Sequence, residues 1–453
     1  MAVHSPGTAG TGEVTLGLRT FLRGMVAAGV GNALEFYDFA VYSFLTPVLA
    51  VVFFPSKNVL VGLLSAFAVF AVGFGMRPLG GILFGILADR RGRRTALVAV
   101  IITMGVATLG MGLVPSYAQV GALGPVLLVA ARSVQGVGVG GEFGTSAPFL
   151  VEYASRSRRG LWGSITYVGS GLGNSLAAAV VLSVTLLMTP HDLQAWGWRV
   201  PFLLGFPLVA VGLYMRLQVE ETPSFQSLRA SQEVSRSPLV EVARHHWRRI
   251  AVLIGVLITM SVTAYTVLTF MPTYLSTIRG LPKTLALLLV LITILVAVIL
   301  TPLFGWASDV LGRGPVLMAG CVGAIALSYP SYALIGLRTA PAVLVGLVLF
   351  VLPVAVFWGV TPAAFAELFP TRVRASGFSV GYGIGTALFS GTAPTVLTAL
   401  VATTHNPLSP AWYPMICGVV SLVVLVAARH LFGMGSTGRE ANRASVEAGG
   451  GGD

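Results

Sequence analysis

Apolar runs of about 20 residues recur along the whole chain, broken by short charged or turn-forming stretches. That is the length of a helix crossing a bilayer. The breaks include Pro55-Ser56, Pro115-Ser116, Thr189-Pro190-His191-Asp192, Leu281-Pro282 and Thr404-His405-Asn406-Pro407. The pattern predicts twelve helical spans, at 21–46, 59–87, 95–114, 122–151, 160–188, 198–217, 249–278, 284–307, 315–336, 341–366, 374–402 and 409–431. The longest polar stretch, 218–248, mixes Glu220, Glu221, Arg229, Glu233, Arg236, Glu241 and Arg244 with serines, as a solvated linker does. It divides the spans six and six. The expected organisation is a tail at 1–20, a six-helix bundle at 21–217, the linker at 218–248, a second six-helix bundle at 249–431 and a tail at 432–453. The predicted class is an all-α membrane protein.

Composition agrees with this reading. Charged residues make up 10% of the chain and mean hydropathy is +0.86. A soluble domain carries about 25% charged residues, so this chain cannot cover a water-facing surface. Cys321 and Cys417 both fall inside apolar runs and read as packing residues, with no disulfide framework and no metal site. The first twenty residues hold no apolar core, so a cleavable signal peptide is not expected and the first span directs insertion. Lysines and arginines set the orientation. With both termini cytoplasmic, the outer loops keep Lys57, Arg199, Arg279, Lys283 and Arg338, while almost every other basic residue lies inside. The net charge of +12 is thus spread over short loops beside anionic lipid, which excludes a nucleic-acid partner.

Two repeats show an internal duplication. Gly85, Asp89, Gly92 and Arg93 sit in a charged turn between spans two and three, and Gly305, Asp309, Gly312 and Arg313 return 220 residues later. Glu152 and Arg159 follow span four, and Glu367 and Arg374 follow span ten at an offset of 215. Parallel halves of this kind describe a transporter that rocks about a central site.

Charges inside the spans each need a reason, because one at the bilayer centre costs about 2.5–3.5 kcal/mol on insertion scales. Glu35 lies roughly 18 Å along its helix from Arg23, and Asp38 shares its face at i+3. Two close carboxylates favour one protonated form, the property a proton carrier needs; simple pairing with Arg77 or Arg132 is the alternative. Arg132 and Glu142 share span four, where Gly136, Gly138, Gly140 and Gly141 suit close helix packing. Glu142 is read either as a buried partner of an arginine or as a proton acceptor. The second half is almost free of charge, so coupling is expected in the first half. Aromatics are the candidate substrate contacts, since a quaternary ammonium binds ring faces; Tyr37, Tyr42, Tyr265 and Trp358 are available, with Tyr274 and Tyr382 beside them. Other chemistries lack support. Gly136–Gly141 follows no strand, the histidines form no ligand cluster, and there is no phosphate-binding loop of an ATP-driven pump.

The Gly-x-x-x-Asp-x-x-Gly-Arg-Arg turn and its degenerate copy resemble the major facilitator superfamily. Further stretches narrow the resemblance to its metabolite:proton symporter family: Gly31–Phe39, Arg77-Pro78-Leu79-Gly80-Gly81, Gln135-Gly136 through Gly140-Gly141-Glu142, Trp196–Phe202 and Glu221-Thr222-Pro223-Ser224-Phe225. Thr269–Ser276 looks most like the proline/betaine permeases. Two features depart from them: Arg132 stands where those permeases carry lysine, and Gly433–Asp453 shows no heptads for coiled-coil osmosensing. The resemblance implies two pseudo-symmetric six-helix bundles and a monomer of the bacterial inner membrane. It implies no enzyme activity and no cofactor, the proton being the coupling ion. The expected function is symport of a small zwitterionic osmolyte such as proline or glycine betaine. Di- and tricarboxylates or shikimate-like acids are the alternative; an efflux antiporter or a non-transporting sensor is less favoured. The resemblance also makes the charged turns a gate, with Asp89 facing the positive N-terminus of a helix in the opposite half and Arg93 pairing nearby.

Overall fold

The computed structural model describes residues 18–91, 93–140, 151, 154, 156–218, 244–370 and 374–432, and among these there is no strand. The first half comprises α1 (Leu18–Phe53), α2 (Val59–Gly75, continuing as Arg77–Arg91), α3 (Arg93–Leu113), α4 (Leu123–Gly140), α5 (Arg159–Leu187) and α6 (Arg199–Gln218). The second comprises α7 (Trp247–Ile278), α8 (Lys283–Leu311), α9 (Arg313–Gly336), α10 (Ala340–Glu367), α11 (Arg374–Gly385 through Thr386–Ser390 to Ala393–Thr404) and α12 (Trp412–Ala427). Ten of these are long and apolar enough to cross a membrane. The bent pair Pro190–Gly197 and Arg199–Tyr214 supplies an eleventh, and the apolar stretch Val98–Leu113 of α3 is the shorter twelfth.

Three local features differ from the expected spans. α1 runs on to Phe53 rather than stopping at 46, with Pro47 inside the helix; a spanning helix tolerates proline where its neighbours satisfy the freed backbone. α2 breaks at Met76, because Pro78 has no N–H for the carbonyl of Phe74. The break read at 189–192 is instead a helix start. Thr189 Oγ1 accepts the Asp192 N–H at 3.1 Å and Pro190 opens the turn, which meets α6 at 49°.

Lipid offers no hydrophobic drive to press apolar helices together, so their approach depends on small residues that let backbones touch. A side chain on Gly136 would strike the Gly73 backbone, and one on Gly140 the Arg77 backbone, so α4 is seated directly on α2. Gly173 of α5 meets the Ala33 backbone of α1 in the same way, and Gly160 of α5 meets Gly305 of α8. The two halves touch chiefly where α5 packs on α8 and α10, and where α2 packs on α11. The outer surface carries bare apolar side chains such as Val106, Leu187, Ile299 and Ile416, the surface a bilayer covers.

Gly136→Ala should therefore destabilise the protein by about 1–3 kcal/mol, since the added methyl pushes α2 off α4. Gly110→Ala, with nothing within 4 Å of the added carbon, should be neutral or slightly stabilising. Thermal unfolding of the purified variants in one detergent checks the contrast; equal effects would count against glycine-limited packing.

Candidate functional site

At one end of the bundle Asp309 binds the two halves together, with Glu367 beside it. Asp309, near the end of α8, accepts hydrogen bonds from the Gly160 and Leu161 N–H groups at 2.8 and 2.9 Å. These are the free donors of the first turn of α5, a helix of 29 residues, where negative charge is favoured. Arg313 donates to Asp309 at 2.8 Å and reaches Glu367 through two contacts of 3.3 Å, while Arg159 lies 4.0 Å from Glu367. The glycines of the motif have separate tasks here. Gly305 lets α8 touch α5 at Gly160, and Gly312 turns the chain at φ +89°, a conformation that side chains disfavour. Elsewhere between the halves Thr269 of α7 donates to Ser43 of α1 at 3.1 Å, and Gly391 of α11 lies against Phe74 of α2.

Between the two halves lies a small cavity. The first half supplies Phe36 and Tyr167; the second supplies Tyr265, Trp358 and Tyr382, with Met260, Ala264 and Leu268 filling between them. Tyr167 and Trp358 stack across the halves, with ring centroids 5.6 Å apart and planes 7° from parallel. The Tyr167 and Tyr382 hydroxyls meet at 3.2 Å. Ser261 and Ser390 complete the wall, which among the described residues contains no formally charged side chain. Aromatic rings from both halves can therefore hold a cation by their apolar and quadrupolar contacts, without a carboxylate.

Among the described residues, Asp38, Arg77 and Arg132 form a separate layer behind the wall. Arg132 is fully buried, its guanidinium 3.8 Å from the Phe39 ring centre and 5.0 Å from that of Phe70. Arg77 lies 4.0 Å over Phe74. Phe70 and Phe74 in turn contact Tyr265, with centroids at 6.1 and 5.1 Å, so one layer of rings separates both arginines from the cavity. Arg132 donates to Gln135, and Gln135 donates to Thr108 at 2.9 Å. Thr108 and Asp38 lie together against Gly205 of α6, and Asp38 Oδ1 is buried without a hydrogen-bond partner.

Of the residues singled out from sequence, Tyr265 and Trp358 line the cavity, as does Tyr382. Tyr37 and Tyr42 do not: their hydroxyls donate to the carbonyls of Pro201 and Ala66, each at 2.8 Å, and tie α1 to α6 and α2. Tyr274 likewise donates to Pro407 at 2.7 Å. Asp38 and Arg132 are brought into one polar layer. Arg159, Gly305, Asp309, Gly312, Arg313 and Glu367 meet at one end. Glu142, Glu152 and Gly92 lie outside the described residues, as do the side chains at Glu35, Gly85, Asp89, Arg93 and Arg374. Tyr167, Ser261 and Ser390 were missed. Tyr167 had a readable signal, because Tyr382 stands 215 residues later, the offset that relates Arg159 to Arg374.

Comparison with known proteins bears on the whole of this architecture. The model of the Major Facilitator Superfamily matches residues 28–394. The glycine betaine/proline/ectoine/pipecolic acid transporter OusA of Dickeya dadantii is 37% identical over 88% of this chain and 82% of its own length. The proline/betaine transporter of Escherichia coli K12 is 34% identical over 90% of this chain and 83% of its own. Among solved structures, the xylose transporter XylE from E. coli, in a partially occluded inward-open conformation, superposes with a TM-score of 0.72. It is 22% identical and covers 90% of this chain and 97% of that one, so it speaks for the fold alone. Twelve helices in two related halves, joined across a central cavity and matched over most of their length, place the chain in the major facilitator superfamily as a membrane transport protein.

Proposed function

We propose that this protein is a proton-coupled importer of a small zwitterionic osmolyte, glycine betaine or proline, in the bacterial inner membrane. The observation that carries the reading is the cavity itself: aromatic faces from both halves and, among the described residues, no charged side chain in its wall. A molecule carrying one cation and one carboxylate is neutral overall and enters such a site without an uncompensated charge. A di- or tricarboxylate would arrive with net negative charge and find no arginine or lysine among the described residues of the wall, which argues against that alternative. The transporters of D. dadantii and E. coli, at 34–37% identity, support the same substrate class.

Coupling is assigned to the polar layer of the first half. Asp38, buried and with one oxygen unpartnered, is the proton carrier, and the chain Thr108–Gln135–Arg132 relays its charge state to the rings that back the cavity. The end closed by Asp309 is cytoplasmic, as the distribution of basic residues requires, and both termini lie on that side. Asp309 holds the cytoplasmic side shut by binding the start of α5, and opening there releases it. The sequence repeat extends the same role to Asp89.

Three measurements test this reading. In proteoliposomes with an inward proton gradient, glycine betaine and proline should accumulate, and a protonophore should abolish it. α-Ketoglutarate, citrate and shikimate should not accumulate; uptake of these alone, or of none of the five, overturns the proposal. Asp38→Asn should lose gradient-driven accumulation while retaining exchange of labelled for unlabelled substrate. Unchanged accumulation in that variant moves the proton site elsewhere. Asp309→Asn weakens charge-assisted hydrogen bonds worth about 1.5–3 kcal/mol each, so the cytoplasm-open population should rise by roughly tenfold or more. Spin labels at the exposed positions Arg158 and Val310 would report it as a longer distance; an unchanged distribution removes Asp309 from the gate.

A further inference from the structure

Buried hydroxyl groups in a folded chain almost always have a partner, and those without one call for an explanation. Two such groups stand in the wall of the cavity. Ser261 of α7 and Ser390 of α11 are each 1% exposed, and neither Oγ finds a hydrogen-bond partner in the chain. Most other serine and threonine hydroxyls of the second half are satisfied locally, by donation to a carbonyl one turn back, as at Thr263, Thr266, Ser276, Ser328 and Thr361. Ser261 and Ser390 share the helical setting and make no such bond.

Ser390 is placed by an irregularity in its helix. The Gly391 N–H donates to the Thr386 carbonyl at 3.2 Å, five residues back, so Thr386–Ser390 forms a π-helical turn. The extra residue rotates the remainder of α11 by about 100° relative to a regular helix. This turn packs against α7, the helix that bears Ser261. The two hydroxyls thus enter the cavity wall from adjoining segments of the second half, alongside Tyr265, while Tyr167 and Trp358 face them with stacked rings.

We propose that Ser261 and Ser390 are the carboxylate subsite of the cavity: both hydroxyls donate to the carboxylate of a zwitterion whose ammonium rests on the aromatic faces. The proposal rests on the zwitterion reading of the cavity and names the atoms that recognise the anionic end. Neutral donors suffice because the ligand brings its own counter-charge. Both arginines nearby are screened by Phe70 and Phe74, which leaves the serines as the unused donors within the wall. A site built to donate hydrogen bonds also discriminates against an analogue that lacks the acceptor, since its buried polar groups are then left unpaired.

Choline, which carries the trimethylammonium group of glycine betaine but an alcohol in place of the carboxylate, isolates the claim. Equilibrium binding of each ligand to purified full-length protein would be measured for the wild type, Ser261→Ala, Ser390→Ala and the double variant. The wild type should prefer glycine betaine to choline by at least tenfold. The double variant should lose tenfold or more in betaine affinity with little change for choline, and Ser390→Thr, which keeps the hydroxyl, should retain most of the preference. Parallel losses for both ligands, or no loss for either, would overturn the subsite. If the double variant does not survive purification, the single variants carry the same comparison, each expected to lose threefold or more for betaine alone. A wild type that binds neither ligand would instead refute the zwitterion reading on which the subsite rests. Preserved betaine binding with an unchanged preference in every variant refutes the subsite alone.

Discussion

The bond between Asp309 and the start of α5 is the contact on which the arrangement of the two halves rests. A spanning helix leaves its first N–H groups without intrahelical partners, and membrane depth offers little water to satisfy them. Here the partner comes from the other half of the molecule, at 2.8 and 2.9 Å, and Arg313 neutralises the carboxylate that supplies it. Everything around this contact serves its geometry. Gly305 and Gly160 remove the side chains that would hold α8 away from α5, and Gly312 turns the chain so that Arg313 reaches back to Asp309 and on to Glu367. Because the bond joins the halves rather than lying within one, it can be broken without unfolding either.

The same principle of meeting each polar group within the protein explains the interior. Arg132 is buried without a carboxylate in ion-pair contact among the described residues, a costly placement for a charge. Rings of Phe39, Tyr42 and Phe70 surround its guanidinium and Gln135 accepts from it. The result is two layers: a charged one wholly inside the first half, and a neutral aromatic one shared by both halves. The rings of Phe70 and Phe74 stand between the two layers.

Much of this was legible in the chain. The twelve apolar runs and the repeated motif at Gly305–Arg313 come from length, charge and offset alone. The chemical types of the cavity were also anticipated, since Tyr265 and Trp358 were among the aromatics set aside for a cation. What could not be read was which aromatics face inward. Tyr37 and Tyr42 lie in α1 with the same composition around them, yet their hydroxyls are taken by the carbonyls of Pro201 and Ala66. Tyr167 was recoverable from its repeat partner Tyr382. Ser261 and Ser390 carried no signal, because a serine inside an apolar run usually bonds its own helix.

The sequence by itself determined the solvent, the number of spans, the duplication and the place of the charged turns. Each of these depends on local hydropathy or on spacing along the chain, and both survive without knowledge of contacts. The tertiary structure alone decided which helix faces meet, and hence where the cavity lies and which hydroxyls remain unsatisfied in it. Those outcomes turn on a few backbone approaches, Gly136 on Gly73 and Gly160 on Gly305, and on one π-helical turn at Thr386–Ser390. A helix rotated by one residue turns its side chains by about 100°, and only the packing of its neighbours selects the rotation.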